Sequence, residues 1–216
     1  MPTQMTFDSL QGDIRSYLER GSVNDQTVYN QLPSLINLAE RRISNELKIL
    51  GFIVAATFTL QAGVAVVQKP DRWRQTVSIN VGNATSGTIL RTQLLPRSQE
   101  YIRSYWPDET QTAPPKFYAD YNYSSLLLGP TPDQAYPAEI LYYEEPALLD
   151  ATNQTNWITQ YAPSLLLYST LLECMPFLKK DDRMPMWQSM YDRTAAIFNA
   201  GDKERSLDRN VTRNSD

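Results

Sequence analysis

Pro115-Lys116-Phe117-Tyr118-Ala119-Asp120-Tyr121-Asn122-Tyr123 runs into Leu126-Leu127-Leu128-Gly129-Pro130-Thr131-Pro132-Asp133 and then Ala138-Glu139-Ile140-Leu141-Tyr142-Tyr143-Glu144-Glu145-Pro146. The alternation of aromatic and polar residues predicts strands, and the proline-bearing Gly129–Asp133 stretch predicts the turn between them. Within the first strand Phe117, Ala119, Tyr121 and Tyr123 share one face, assigned to the core, and Tyr118, Asp120 and Asn122 share the other. Nothing in the stretch is arranged for chemistry. Its tyrosines suit half-buried packing or a contact between subunits.

Upstream, β-branched and alternating segments continue the β pattern at Ile53 to Leu60, Val64 to Val67, Thr76 to Val81 and Thr88 to Leu95. Gly82-Asn83-Ala84-Thr85-Ser86-Gly87 lacks the Gly-Lys-Ser/Thr ending of a phosphate loop and joins strand to strand, so it reads as a hairpin. A short helix fits Ser98 to Tyr105, and the prolines between Trp106 and Pro115 keep that span non-helical.

Helical periodicity lies on both sides of this region. Phe7, Leu10, Ile14, Tyr17 and Leu18 share one face of a first helix, with Thr6 as cap and Gly21 as stop. Leu32, Leu35, Ile36, Ala39, Ile43, Leu47 and Leu50 mark a second, with Pro33 in its first turn, Gly51 at its end and a solvated outer face of Glu40, Arg41, Arg42, Glu46 and Lys48. After Asn156-Trp157, capped by Thr155 or Asn156, Pro163 restarts a helix through Phe177 that has almost no polar face and is predicted to be a core element, either central to a bundle or wedged between subunits. The last helix, from Met184-Pro185 to about Gly201, presents Trp187, Met190, Tyr191, Ala195 and Phe198. The predicted class is α+β. Residues 1–51 and 150–201 form a helical bundle from the N- and C-terminal helices, residues 52–149 an inserted antiparallel β-rich lobe, and residues 202–216 a tail that is flexible or ordered by a partner.

Composition narrows the chemistry. The 216 residues contain no histidine, which excludes histidine-based triads and zinc sites, and one cysteine, Cys174, which excludes an intrachain disulfide. Cys174 sits in an apolar run and reads as buried and inert. No catalytic, cofactor-binding or metal-binding residue is predicted. A net charge of −4 with dispersed cations does not suit a nucleic-acid-gripping surface. No run reaches the length of a membrane span and no signal segment is evident, so a soluble protein of a reducing compartment is expected, in which the sequons at Asn83, Asn122, Asn153 and Asn210 carry no glycan.

Several motifs together resemble one family. They are Leu94-Leu95-Pro96-Arg97-Ser98 with Tyr101 and Tyr105-Trp106-Pro107-Asp108, Pro115 to Tyr121, Gly129-Pro130-Thr131-Pro132, Leu141-Tyr142-Tyr143, and Asn153-Gln154-Thr155-Asn156-Trp157 before Tyr161-Ala162-Pro163. The chain resembles, from about Met5 to Gly201, the head-to-tail adaptor (connector) proteins of short-tailed, podovirus-like bacteriophages. That resemblance implies a virion protein assembled in the bacterial host cytoplasm. It would form a ring of about twelve copies under the portal protein, bind tail nozzle, hub or fibre proteins, and let viral DNA pass without sequence-specific binding or contact with a membrane. A mildly acidic subunit suits such a bore. The resemblance also implies a terminal segment that orders on the portal, and the tail residues Arg205, Leu207, Arg209, Val211 and Arg213 are the candidate portal-binding set.

Two other classes compete. A carbohydrate-binding tail component would use the thirteen tyrosines as platforms. A cell-wall glycoside hydrolase would need a carboxylate pair, for which Glu139, Glu144, Glu145, Asp181 and Asp182 are the candidates. Glu144-Glu145 ends a strand with side chains to opposite faces and Asp181-Asp182 precedes a helix, and both placements have structural explanations.

Overall fold

The structure, a computed structural model, describes residues 4–20, 25–82, 92–178 and 182–206, with 201–206 as backbone only. Among the described residues it is a mixed α/β fold of six helices and one curled seven-stranded sheet. The chain divides into two compact units, residues 1–52 with 145–216 and residues 53–144.

The first unit is helical. Helix α1 (Phe7–Leu18) begins with the reciprocal Thr6–Ser9 capping box and ends on Glu19 in a left-handed conformation, φ 55°. Phe7, Leu10, Ile14 and Leu18 are buried, whereas Tyr17, expected on the same face, is exposed. Gly21, its expected stop, lies outside the described residues. Helix α2 (Gln26–Glu46) starts earlier than the apolar pattern suggested, so Pro33 falls inside it, not in its first turn, and the helix gives way at Leu47 before Gly51. Its missing N–H costs one ladder bond near the N-terminal end. Gly51 belongs instead to a 3-10 turn, Leu50–Phe52.

Helix α4 (Trp157–Tyr161) is capped by Asn156, whose side chain accepts from the Ile158 and Thr159 N–H groups. Helix α5 (Pro163–Leu178) packs against α1, α2, α4 and the last helix, α6 (Met184–Ser206), as its lack of a polar face predicts. Trp187, Tyr191 and Ala195 of α6 are buried, while Met190 is exposed. Helix α6 continues past Gly201 to Ser206, because a single glycine costs a helix only about 1 kcal/mol relative to alanine.

The second unit holds the sheet. Strands β1 (Ile53–Leu60), β2 (Val66–Gln68), β3 (Trp73–Val81), β4 (Thr92–Pro96), β5 (Phe117–Asp120), β6 (Ser125–Gly129) and β7 (Tyr136–Glu144) are ordered β1-β7-β3-β4-β5-β6-β2. Strands β1 and β2 lie at opposite ends of that order, yet only residues 61–65 join them. Such a link reaches at most about 20 Å, and a flat sheet of seven strands is about 29 Å across, so the sheet must curl.

One pair departs from the antiparallel expectation: β4 and β5 run parallel, Leu95 opposite Phe117, with helix α3 (Gln99–Tyr105) in the crossover between them. The strand expected from Thr88 and the hairpin Gly82–Gly87 fall largely outside the described residues. The aromatic strand stops at Asp120, so Tyr121 is exposed and Tyr123 is 85% exposed, contrary to the face assigned to them. Tyr118, assigned to the other face, joins the main core with Leu60, Ile79, Leu94, Leu126, Tyr136, Ile140 and Tyr142. Phe117 and Ala119 pack with Ile102 and Leu127 under α3, so both faces of β5 are covered.

Candidate functional site

The most developed surface of the β unit is built on α3 and β5. The Ser98 side chain accepts from the Tyr101 N–H at 3.2 Å, which starts the helix at this point. Ile102 anchors it inward against Ala119 and Leu127. The anchor needs Gly129, because a Cβ there would stand 2.5 Å from Ile102 Cγ2. With Ile102 turned in, Tyr101 and Tyr105 are turned out at helical i,i+4 spacing, 43% and 42% exposed.

Their rings are parallel within 6° with centroids 6.1 Å apart, and both meet Phe117 edge-on, at 5.5 Å and 5.2 Å. Trp106 flanks Tyr105 at 6.4 Å and donates its indole N–H to the Gln111 carbonyl. The Arg97 guanidinium lies 5.6 Å from the Tyr101 ring and 5.7 Å from Phe117. Arg103 pairs with Glu109 at 3.0 Å and lies 5.8 Å from the Tyr121 ring. Leu95, opposite Phe117, is exposed beside them.

Exposed tyrosine and arginine on a preformed platform are the composition of the centre of a protein–protein contact. The sequence carried a usable signal for it, two tyrosines four residues apart on a capped helix, but the parallel β4–β5 pairing that places Phe117 beneath them is a long-range fact.

The tail residues predicted to bind a partner lie at or beyond the end of the described structure. Arg205 is on the last turns of α6, with its side chain outside the description, and Leu207, Arg209, Val211 and Arg213 lie outside the described residues. The carboxylates weighed for hydrolysis are held apart in function. Glu144 pairs with Arg72 at 2.8 Å, and Glu145 pairs with Arg41 at 3.9 Å. Glu139 lines a shallow cavity of about 300 Å³ with Thr57, Asn80 and Gly82. Asp182 is exposed ahead of α6, and Asp181 is outside the described residues.

Cys174 is buried, and burial pushes its thiol up to about 12. Among the described residues no cluster of His, Cys, Asp and Glu could hold a metal ion, and no helix is long and apolar enough to cross a membrane.

No curated protein matches the chain. A family model does: the one described as SU10 adaptor protein covers residues 5–214, taking in both units and most of the tail. A match over nearly the whole chain fixes its kind: the chain belongs to the SU10 adaptor protein family and is a phage head-to-tail adaptor.

Proposed function

We propose that this adaptor forms a ring of about twelve copies beneath the portal of a short-tailed phage, joins it to nozzle, hub or fibre proteins of the tail, and lines the passage for viral DNA. The helical unit serves as the body of the ring subunit and the β unit as a lobe inserted into it. The observation that carries this reading is the family match over residues 5–214. Two physical features support it. The chain carries a formal −4 with no histidine to gain charge on mild acidification, so a ring of copies repels the DNA that slides through it. Rigid aromatic groups displayed on α3 lose little side-chain entropy when a neighbour covers them. The tail residues Arg205, Leu207, Arg209, Val211 and Arg213 remain the proposed portal-binding set, because arginines four apart can each pair with a portal carboxylate.

The test is sedimentation and native mass of the full chain, alone and mixed with its portal protein. A closed ring in the presence of portal is expected. A monomer indifferent to portal overturns the reading and makes glycan binding and cell-wall hydrolysis the assays to run next.

A further inference from the structure

We propose that neighbouring copies join by seating the α3–β5 patch of one protomer in a cavity beside Asp13 on the helical unit of the next. This assignment rests on the ring reading above and names the surfaces that would close it. The cavity, about 570 Å³, lies along α1 and α4 and is lined by Met5, Ser9, Asp13, Thr159 and Pro163 among others. That volume is in the range of pockets that enclose a small ligand, roughly 300–1,000 Å³, and so takes a tyrosine or arginine side chain.

The two surfaces are complementary in charge. Asp13, which lines the cavity, and Asp8, five residues earlier on α1, are exposed and have no cationic partner among the described residues. On the patch, the Arg97 side chain donates only to the Pro96 carbonyl among the described residues. The nearest acid in sequence, Glu100, is committed to its own N–H and to the Ser98 hydroxyl, which hold its carboxyl below the usual range. Elsewhere Arg42, Arg72 and Arg103 all find carboxylates within the protomer, at 2.8 to 3.1 Å.

They also differ in form, one presenting parallel rings and a guanidinium, the other a recess with a carboxylate and a methionine wall. Arginine with carboxylate and aromatic ring with thioether are both favourable pairings. Two unlike surfaces on one chain give head-to-tail association, the kind that closes into a ring, whereas a self-complementary surface stops at a two-fold dimer.

The experiment uses the full chain with portal protein, measuring the fraction in rings by sedimentation at about 0.1 M salt, where exposed charges are felt over about 10 Å. Arg97→Glu alone and Asp13→Lys alone should each lower ring formation at least tenfold. An equimolar mixture of the two variants should restore it, since in an alternating ring every junction is again of opposite charge. Should either reversal lower the thermal melt of the monomer, Arg97→Gln and Asp13→Asn take their place, and ring formation is then expected to weaken and lose its salt dependence. If the native chain forms rings and both single variants do so equally well, this interface is wrong while the ring stands. If folded single variants fail and the mixture does not recover, it is wrong also. A native chain that never assembles, with or without portal, removes the ring reading and this interface together.

Discussion

Glu40 Oε1 accepts a hydrogen bond from Asn156 Nδ2, joining the middle of α2 to the residue that caps α4. The same carboxyl accepts the Leu149 N–H at 3.0 Å through its other oxygen. Asn156 in turn spends its carbonyl oxygen on the Ile158 and Thr159 N–H groups, so the buried carboxyl orients the cap as well as the 147–156 connection. Glu40 is 0% exposed, and desolvation lifts its pKa from 4.5 to about 7 against the lowering effect of both donors. The folded protein therefore holds this proton at pH values where the unfolded chain has lost it. Stability from this group is whole below about pH 4.5, falls as pH rises to about 7 and is level above, a change of about 3 kcal/mol at most. Chemical denaturation at pH 5 and pH 8 should show it as a difference between the native chain and Glu40→Gln, which does not titrate. Equal pH dependence in the two proteins would show that Glu40 is ionised throughout.

Gly51 and Trp157 are in direct contact, and a Cβ at position 51 would stand 2.1 Å from Trp157 Cε2. The indole cannot yield easily, because Phe52 meets it edge-on at 5.3 Å and Tyr161 and Phe198 lie at 5.4 Å and 6.2 Å. Gly51→Ala is expected to destabilise the protein by about 3 kcal/mol, at the upper end of ordinary overpacking. Combining it with Trp157→Leu should recover part of that loss, since the two changes share one space. A melt within one degree of the native value for Gly51→Ala alone would show that the ring has room to move.

Lys69 fixes the turn between β5 and β6. Its side chain is 3% exposed, with the ammonium 2.9 Å from Asp120 Oδ1, 2.9 Å from the Asn122 carbonyl and 3.5 Å from the centre of the Trp73 ring. Asp120 is largely exposed and can be rehydrated when the ammonium is removed, so what Lys69→Ala removes is the packed stem, the carbonyl bond and the cation–π contact. The expected cost is about 2–3 kcal/mol. Lys69→Met, which keeps most of the stem, should lose about half as much. Denaturant midpoints of the three proteins decide it, and equal losses for Ala and Met would show that the stem contributes nothing.

What could be read from residue order follows from how local each determinant is. The core position of α5 was legible because Leu165, Leu166, Leu171 and Leu172 leave it no wet side. The α3 cap was legible because Ser98 acts within three residues. Glu40 was not: on α2 it falls in a charged run with Arg41 and Arg42 that reads as solvated surface, and its burial depends on donors more than 100 positions away. Pro33 misled in the same way, since a rule that places proline in the first turn is outweighed when the residues before it have packing partners such as Val28. The aromatic strand was correct in kind and wrong in extent, because alternation continues to Tyr123 whereas pairing with β6 ends at Asp120. The α3–β5 aromatic patch needed β4 and β5 to run parallel, and no local pattern encodes that.

The tail prediction can be made sharper by where α6 ends. Cutting the chain after Ser206 leaves the whole helix in place, whereas a cut at Asp202 would remove helical residues as well. Residues 207–216 hold only Leu207 and Val211 to bury, so they cannot carry much of the fold, and the melt of the shortened monomer should stay within about a degree of the native one. Portal binding is where the loss should fall. Exposed ion pairs are worth about 0.2–1 kcal/mol each, so losing Arg209 and Arg213 together with two apolar anchors predicts roughly a tenfold weaker complex. The remaining affinity should also depend less on salt, because two fewer cations take part. Arg209→Ala with Arg213→Ala in the full-length chain should reproduce the salt effect but only part of the affinity loss, which separates charge from burial. Titrating portal protein against the three forms at two salt concentrations makes the comparison. Undiminished affinity in the shortened chain would place the portal contact on the body of the adaptor and leave the tail without a docking role.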